Sequence, residues 1–191
     1  MSEALFRSTF ADTISLHEQV MNGGAARPAL DAADAIVRSL KGGGKLLVFG
    51  NGGSAADAQH VASELVNRFE RTRAALAALA LTTDASVVTS IGNDDAFERV
   101  FARQIDALGR EGDVALGISA SGGSANIVAA LDAARARRLQ TIALTGRDGG
   151  AVGRAAAIHV NVPSASTARV QEVHRTLLHV ICDVVERAFV K

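Results

Sequence analysis

The sequence predicts an α/β protein: a three-layer sandwich in which helices cover a doubly wound, parallel, five-stranded sheet, preceded by an N-terminal helical pair. Short, almost continuously apolar runs alternate with stretches whose apolar residues recur every three or four positions. That alternation is typical of parallel strands buried on both faces and of the helices that connect them. Gly- and Ser-rich breaks end several of the runs, and 191 residues suffice for one such domain.

The N-terminal part of the chain predicts two helices. Apolar residues at helical spacing mark the first of them: Leu5, Phe10, Ile14 and Met21. Residues 22–24 break this pattern, and Pro28 suits the first turn of a second helix that ends before residue 42. We expect the pair (residues 1–41) to help the chain oligomerise, and residues 42–191 to form the α/β core of the same single domain.

Five apolar runs predict the strands of the sheet. They are residues 45–49, 77–81, 114–118, 141–144 and 158–162. The second run is the weakest, because alanine is a poor strand former. Helices are predicted between and after the strands. The first follows residues 50–54 and reaches about residue 69, and the second covers 85–108 with a break at 92–94. The third follows residues 119–124 and reaches residue 138, and the last runs from beyond Pro163 to Phe189.

Composition and charge exclude several classes of function. Twenty basic residues balance twenty acidic ones, and the chain has neither Trp nor Tyr. Sequence-independent nucleic-acid binding depends on basic surface and stacking aromatics, so we expect no nucleic-acid partner. The lone Cys182 excludes an internal disulfide framework and a multi-cysteine zinc site. The sequence shows neither a signal peptide nor a membrane-spanning run, so we expect a cytoplasmic protein without a membrane partner.

Two Gly- and Ser-rich loops give the first chemical signal. Residues 50–54 (GNGGS) and 119–124 (SASGGS) each join a predicted strand to a predicted helix. Ligands bind beyond the carboxyl ends of parallel strands, and a helix N-terminus offers N–H groups and partial positive charge to an anion. The serines are placed to cap the helices or to donate hydrogen bonds. Neither loop is a nucleotide-binding motif. An anion site and a pair of simple capped turns are the two interpretations of these loops.

Longer motifs identify a family resemblance. They are GNGGSAADAQHVASELVNRF, SIGND, REGDVALGISASGGSAN, ALTGRDGG and RVQEVH, in this order along almost the whole chain. Together they resemble the phosphoheptose isomerases of the sugar isomerase (SIS) domain family. The resemblance implies a SIS fold and a homotetramer with active sites at subunit contacts. It also implies conversion of sedoheptulose 7-phosphate to D-glycero-D-manno-heptose 7-phosphate, for lipopolysaccharide or other surface glycans.

Four side chains are candidates for a metal site and for acid–base catalysis. His60 and Glu64 are four residues apart and Gln171 and His179 eight apart, so each pair shares a helix face. Imidazole, carboxylate and amide groups are a plausible four-ligand set for zinc, although each pair alone is more often structural. The resemblance implies that all four bind zinc, one ion per subunit. It implies further that Glu64 is the base and His179 the acid–base partner in an isomerisation through an enediolate.

The resemblance also assigns the substrate contacts. It implies that phosphate is held by the hydroxyls and backbone of the two loops (Gly52, Gly53, Ser54, Ser119, Ala120, Ser121 and Ser124). It implies that the sugar contacts Asn51, Glu64, Asn93, Asp94 and Gln171. The chain departs from the family at Ala120, where threonine is frequent, and at Ala168, where some members have aspartate. Thr167 is the nearby residue that we expect to supply the missing polar contact.

A non-catalytic branch of the family is the alternative. A relative that binds the replication initiator DnaA shares the SAADAQH-like and NRFE-like stretches, but lacks counterparts of Glu64 and His179. Both residues are present here, which favours the isomerase; a SIS-type sugar-phosphate sensor is a third possibility. We expect His174 to serve in packing or support, and His17, His159 and Cys182 to be structural.

Overall fold

The computed structural model describes residues 2–190 and contains one sheet. Its strands are β1 (Leu46–Gly50), β2 (Ala78–Ala80), β3 (Val114–Ser119), β4 (Gln140–Gly146) and β5 (Ile158–Val162). They are arranged in the order β2-β1-β3-β4-β5, and every neighbouring pair is parallel. The predicted five-stranded parallel sheet is therefore confirmed, with strand ends within two residues of those expected.

Helices cover both faces of this sheet. They are α1 (Ser2–Asn22), α2 (Ala26–Lys41), α3 (Gly53–Val66), α4 (Ala85–Asp94), α5 (Ala102–Leu108), α6 (Ala125–Ala136), α7 (Gly150–Ala155) and α8 (Thr167–Arg187), with a 3₁₀ turn at Phe97–Arg99. The predicted N-terminal helical pair is α1 and α2. Across residues 2–190, none of the helices combines the length and the apolar character that crossing a membrane requires.

The strands divide their side chains between two apolar clusters. Leu46 and Val48 of β1 pack in the larger cluster, with residues of α2, α3 and α8, while Leu47 and Phe49 face α5 and α6. Because successive strand residues point to opposite faces, an unbroken apolar run fills both clusters. This is the physical reason why the short runs in the sequence mark interior strands.

Three helix boundaries differ from the prediction. The break expected at residues 92–94 comes later: α4 continues through Gly92 to Asp94, and the chain becomes extended at Ala96. The helix expected to reach residue 69 ends at Val66, because the next residues turn to bind a buried carboxylate of α8. The helix expected to reach residue 138 ends at Ala136, and Arg138 takes a left-handed conformation.

Two further helix differences concern the C-terminal half of the chain. α7 was not predicted, because six residues are too few to show a helical period. The closing helix α8 ends at Arg187, two residues before the last apolar residue of its sequence pattern.

The strand order places the two Gly- and Ser-rich loops together. β1 and β3 are neighbours, and the chain leaves their carboxyl ends towards opposite faces, into α3 and α6. This is the topological switch point of an order 2-1-3-4-5 sheet, where a crevice opens for a ligand. The loops predicted from sequence therefore lie at the position that the topology favours for binding.

Candidate active site

Serine hydroxyls from one loop converge on a small cavity at this switch point. Ser119 Oγ lies 3.0 Å from Ser124 Oγ and 3.4 Å from Ser121 Oγ. The cavity has a volume of about 180 Å³. Its lining combines both loops with the start of α8: Asn51, Ser54, Ile118, Ser119, Ala120, Ser121, Ser124, Thr167 and Gln171. We call it the serine cavity. Thr167, expected to supply a polar contact near Ala168, is among its lining residues.

The serines of the two loops do not cap the helices that follow, so of the two alternatives stated for them the capping one is wrong. Ser124 is the N-cap residue of α6, but its side chain makes no capping bond and turns to Ser119 instead. The N-cap residue of α3 is Gly52, at φ 56°, and Ser54 lies inside the helix, almost fully buried. The hydroxyls thus face one another and the cavity, an arrangement suited to donating to an oxyanion beside two helix N-termini.

A reciprocal amide pair joins the two loops. Asn51 Nδ2 donates to Asn126 Oδ1 and Asn126 Nδ2 donates to Asn51 Oδ1, each at 2.9 Å. Asn126 is 4% exposed, so the pair is protected from competition with water. The sequence analysis missed Asn126. The signal was a polar residue in the first turn of a predicted helix, directly after the serine loop.

Gln171 closes one side of the serine cavity and also borders a second cavity. Its side chain rests on Gly53, where an added Cβ would come within 2.5 Å of the amide nitrogen. The second cavity, about 570 Å³, is lined by residues of α3 and α8 (Gly53, Ala56, Asp57, Ala168, Gln171, Glu172 and Arg175). Arg175 Nε donates to Asp57 Oδ1 at 2.8 Å, a bond between α3 and α8 that the sequence did not predict.

Three of the predicted catalytic and metal-binding side chains meet where α3 and α8 run side by side. His60 Nε2 lies 2.8 Å from His179 Nε2 and 3.5 Å from Glu64 Oε1. The side chain of Glu64 is 18% exposed. Burial, assisted by repulsion from His60 and Arg175, lowers the pKa of His179 below its ordinary value. The cluster therefore combines a carboxylate with an imidazole that favours its neutral form, as proton transfer between substrate atoms requires.

The fourth predicted ligand lies apart from the other three. Gln171 precedes His179 by eight residues on α8, a rise of about 12 Å along a helix axis. Within residues 2–190 no three His, Cys, Asp or Glu side chains are arranged as a ready metal site. The donor chemistry of His60, Glu64 and His179 nevertheless fits zinc, because the nitrogens of His60 and His179 already face each other and a neutral imidazole is the metal-binding form.

The remaining candidates lie away from this cluster. Asn93 and Asp94 are exposed at the end of α4 and do not line the serine cavity. His174 is fully buried and donates from Nε2 to the Thr145 carbonyl at 2.9 Å, which confirms its packing role. Cys182 is buried as expected, and burial raises the pKa of its thiol to about 12.

Known proteins with the same fold and sequence pattern decide the family. The SIS domain family matches residues 10–146, more than half of the chain. The phosphoheptose isomerase of Thiobacillus denitrificans is 52% identical over 187 residues, covering 90% of this chain and 95% of the relative. The chain belongs to the phosphoheptose isomerase family. The resemblance noted in the sequence is confirmed, and with it the assignment as an aldose–ketose isomerase.

Solved structures of phosphoheptose isomerases agree over nearly the whole chain. The protein of Neisseria gonorrhoeae is 43% identical with a TM-score of 0.92, and covers 98% of this chain and 100% of its own. That of Francisella tularensis is 39% identical with a TM-score of 0.94, at 98% and 99% coverage. The predicted SIS fold is thus confirmed. None of these relatives supports the DnaA-binding alternative.

Proposed function

We propose that this isomerase converts sedoheptulose 7-phosphate to D-glycero-D-manno-heptose 7-phosphate, in the cytoplasm, for the synthesis of lipopolysaccharide or other surface glycans. The observation that carries the proposal is the placing of two unlike sites along α3 and α8. The serine cavity lies at the start of both helices, and the Glu64–His60–His179 cluster follows about two to three turns later. If the phosphate of the substrate is bound in this cavity, the carbon chain of the sugar would lie along the two helices and reach the acid–base groups.

Binding of the phosphate end would use the serine cavity. Ser119, Ser121 and Ser124 offer hydroxyl donors, and the start of α6 adds backbone N–H groups that suit an anion without a lysine. Asn51 is held in place by Asn126, and Gln171 by its packing on Gly53. These two amides are therefore fixed in position to bind sugar hydroxyls.

The proton transfer would use the cluster between the helices. The carboxylate of Glu64 removes the proton from C1 of the ketose, which gives an enediolate, and returns it to C2 to form the aldose. His179 moves the proton between the two oxygens, for which the lowered pKa of its imidazole is suited. The reaction balances: one carbon-bound proton moves from C1 to C2, and one hydroxyl proton moves from the C1 oxygen to the C2 oxygen.

Zinc is the proposed cofactor, one ion per subunit, which His60, Glu64 and His179 would hold; Gln171, the fourth predicted ligand, would have to turn from Gly53 towards the ion to join them. When bound, it would orient and polarise the sugar oxygens and so stabilise the negative charge of the enediolate. Glu64 cannot bind a metal tightly and accept a proton at the same moment, so with zinc bound its role would have to change during turnover.

A direct assay tests the proposed substrate. The purified protein, supplied with zinc, is incubated with sedoheptulose 7-phosphate, and the products are separated and analysed for an aldoheptose phosphate. We expect the aldose to accumulate until equilibrium is reached. If sedoheptulose 7-phosphate stays unchanged while another ketose phosphate is isomerised, the activity class stands and the proposed substrate does not.

Removing two of the serine hydroxyls should weaken substrate binding. In the double variant Ser121→Ala/Ser124→Ala we expect a loss of about 1–3 kcal/mol in binding free energy, because each hydrogen bond to a charged group contributes about 1.5 kcal/mol or more. Titration calorimetry with sedoheptulose 7-phosphate measures the loss. Ser90→Ala on α4, whose hydroxyl bonds only to the Val87 carbonyl, is the matched control. Equal affinity in the double variant and the control would place the phosphate elsewhere.

We propose that the isomerase is a homotetramer assembled through its N-terminal helices. One face of α1 leaves large apolar side chains in solvent: Phe6, Phe10, Ile14 and Met21 are each more than half exposed, as is Leu5 near the start of the helix on another side. A groove of about 700 Å³ between α1, α2 and α8 continues this face and is lined mostly by apolar residues. An exposed apolar surface of this extent is typical of a protein–protein interface.

Charges on the exposed face of α1 should disrupt the assembly. The unmodified protein is expected to sediment at four times the chain mass of 19.7 kDa. Phe6→Glu/Phe10→Glu should give smaller species, because burying unpaired carboxylates in an apolar interface is costly. Leu108→Glu, at an exposed leucine outside this face, should leave the mass unchanged. A monomeric unmodified protein in sedimentation velocity would overturn the proposed tetramer.

A further inference from the structure

A fully buried carboxylate near the end of α8 holds the loop that leaves α3. Glu186 has no exposed surface. Its Oε1 accepts the Phe69 N–H and its Oε2 accepts the N–H groups of Glu70 and Arg71, all at 2.8 Å. Burial acts to raise the pKa of this carboxyl, but the three backbone donors and the nearby Arg73 outweigh it and lower the pKa overall. The group is therefore charged at neutral pH, and its charge is satisfied by the loop.

Arg73 completes this arrangement from the other side of the loop. Its side chain is fully buried, and its Nε lies 3.4 Å from Glu186 Oε1. Its Nη2 donates to the Glu64 carbonyl at 2.7 Å, and its Nη1 donates to the Leu65 carbonyl at 2.8 Å. These carbonyls belong to the last turn of α3, where the backbone acceptors lack partners within the helix. The ion pair thus ties the turn that bears Glu64 to α8.

The same loop reaches the acid–base cluster through an aromatic contact. The Phe69 ring lies 5.4 Å from the His179 ring, and His179 in turn lies 5.1 Å from the His60 ring, centroid to centroid. Phe69 is also the first residue whose backbone Glu186 holds. No substrate contact needs to involve Glu186 itself, which lies two turns beyond His179 on α8.

We propose that Glu186 is a positioning residue for the isomerisation. By binding the backbone of residues 69–71, it holds the Phe69 ring against His179. By pairing with Arg73, it holds in place the last turn of α3, which bears Glu64. The inference rests on the proposed roles of Glu64 and His179. A displaced acid–base group costs turnover even where substrate still binds, because proton transfer requires short, aligned contacts.

Two variants and a matched control test the inference. Glu186→Gln puts an amide N–H₂ against backbone N–H donors and leaves Arg73 without its counter-charge. Phe69→Leu removes the ring and leaves Glu186 and its three bonds in place. The control is Asp183→Asn, one turn earlier on α8, which removes a carboxylate that holds the loop only through the Arg71 side chain, at 2.5 Å. Steady-state kinetics give kcat and KM, and proton NMR of the imidazole C2–H groups follows His179, assigned with a His179→Gln spectrum.

We expect both test variants to lose about 10-fold or more in kcat while KM changes by less than about 2-fold. The His179 resonance should shift in both, since the ring beside it moves or is lost, and the control should match the unmodified protein in both measurements. If the role of Glu186 were purely structural, Glu186→Gln would lower the free energy of unfolding without shifting the His179 resonance.

Each result decides the inference. Folded Glu186→Gln with kcat within about 2-fold of normal, or with an unshifted His179 resonance, overturns it. If Glu186→Gln does not fold, Phe69→Leu decides on the same two measurements, since its core carboxylate is intact. Failure of the proposed function is separate: it shows as a Glu64→Gln variant that remains fully active. If Glu64→Gln is inactive while Phe69→Leu and Glu186→Gln turn over normally, only the positioning role is lost.

Discussion

Replacing Glu64 by glutamine should lower the turnover of the isomerase by about 10²–10⁴-fold, the usual cost of losing a general base. Glutamine preserves the size of the side chain and most of its hydrogen bonding, but it cannot accept the proton from C1. Substrate should still bind, because the phosphate contacts come from the serine cavity at the other end of α3. Single-turnover isomerisation beside calorimetric binding measures the two effects separately.

A second measurement ties the loss to the proton-transfer step. In deuterium oxide, exchange at C1 of the ketose should disappear in Glu64→Gln together with the activity. Glu111→Gln is the matched control, because Glu111 is an exposed glutamate that pairs with Arg138; a neutral change there should alter stability by only about 0.5 kcal/mol. Near-normal turnover by Glu64→Gln would remove this carboxylate from the mechanism.

Zinc should bind at about one ion per subunit and be lost when either His60 or His179 is changed to asparagine. A zinc site requires several protein ligands at once, so removing one imidazole lowers affinity steeply. The fold should persist without the metal, because two apolar clusters of buried side chains stabilise the sheet from both faces. Metal content after dialysis, measured by mass spectrometry, gives the stoichiometry, and circular dichroism reports the fold.

His17→Asn is the control for the metal measurement. His17 lies on α1, where its Nε2 contacts the Thr176 hydroxyl rather than the catalytic cluster, and this variant should keep its zinc. Two outcomes would count against the proposed ligands: metal content that is unchanged in the His60 and His179 variants, or content that falls equally in the His17 control.

Sequence patterns that span only a few neighbouring residues predicted the strands, the serine loops and part of the catalytic cluster. The apolar runs and glycine breaks predicted every strand, because a buried parallel strand needs no distant partner to be recognised in sequence. The serine loops were found for the same reason, since strand, loop and helix follow one another directly. The spacing of His60 and Glu64 placed them on one helix face, and the structure brings His179 to the same point.

Pairings between distant segments could not be read from spacing. Asn126 is an ordinary polar residue until its partner Asn51 is known, 75 residues earlier. Glu186 and Arg73 would each be assigned to the surface from sequence, because charged side chains are seldom buried without a partner. The helix after the first loop was predicted three residues too long for this reason: its end is set by a carboxylate more than a hundred residues away.

The neighbouring positions of β1 and β3 also have a consequence for how the protein becomes able to bind. One loop of the serine cavity follows β1 and the other follows β3, with α3, β2, α4 and α5 between them in the chain. The binding site therefore exists only once these distant segments have come together, since neither loop forms it alone. If the chain were divided in the exposed turn between Gly109 and Gly112, each piece would keep one loop. Phosphate affinity would then return only when the two fragments reassemble. Binding of phosphate would therefore report that the two fragments have associated.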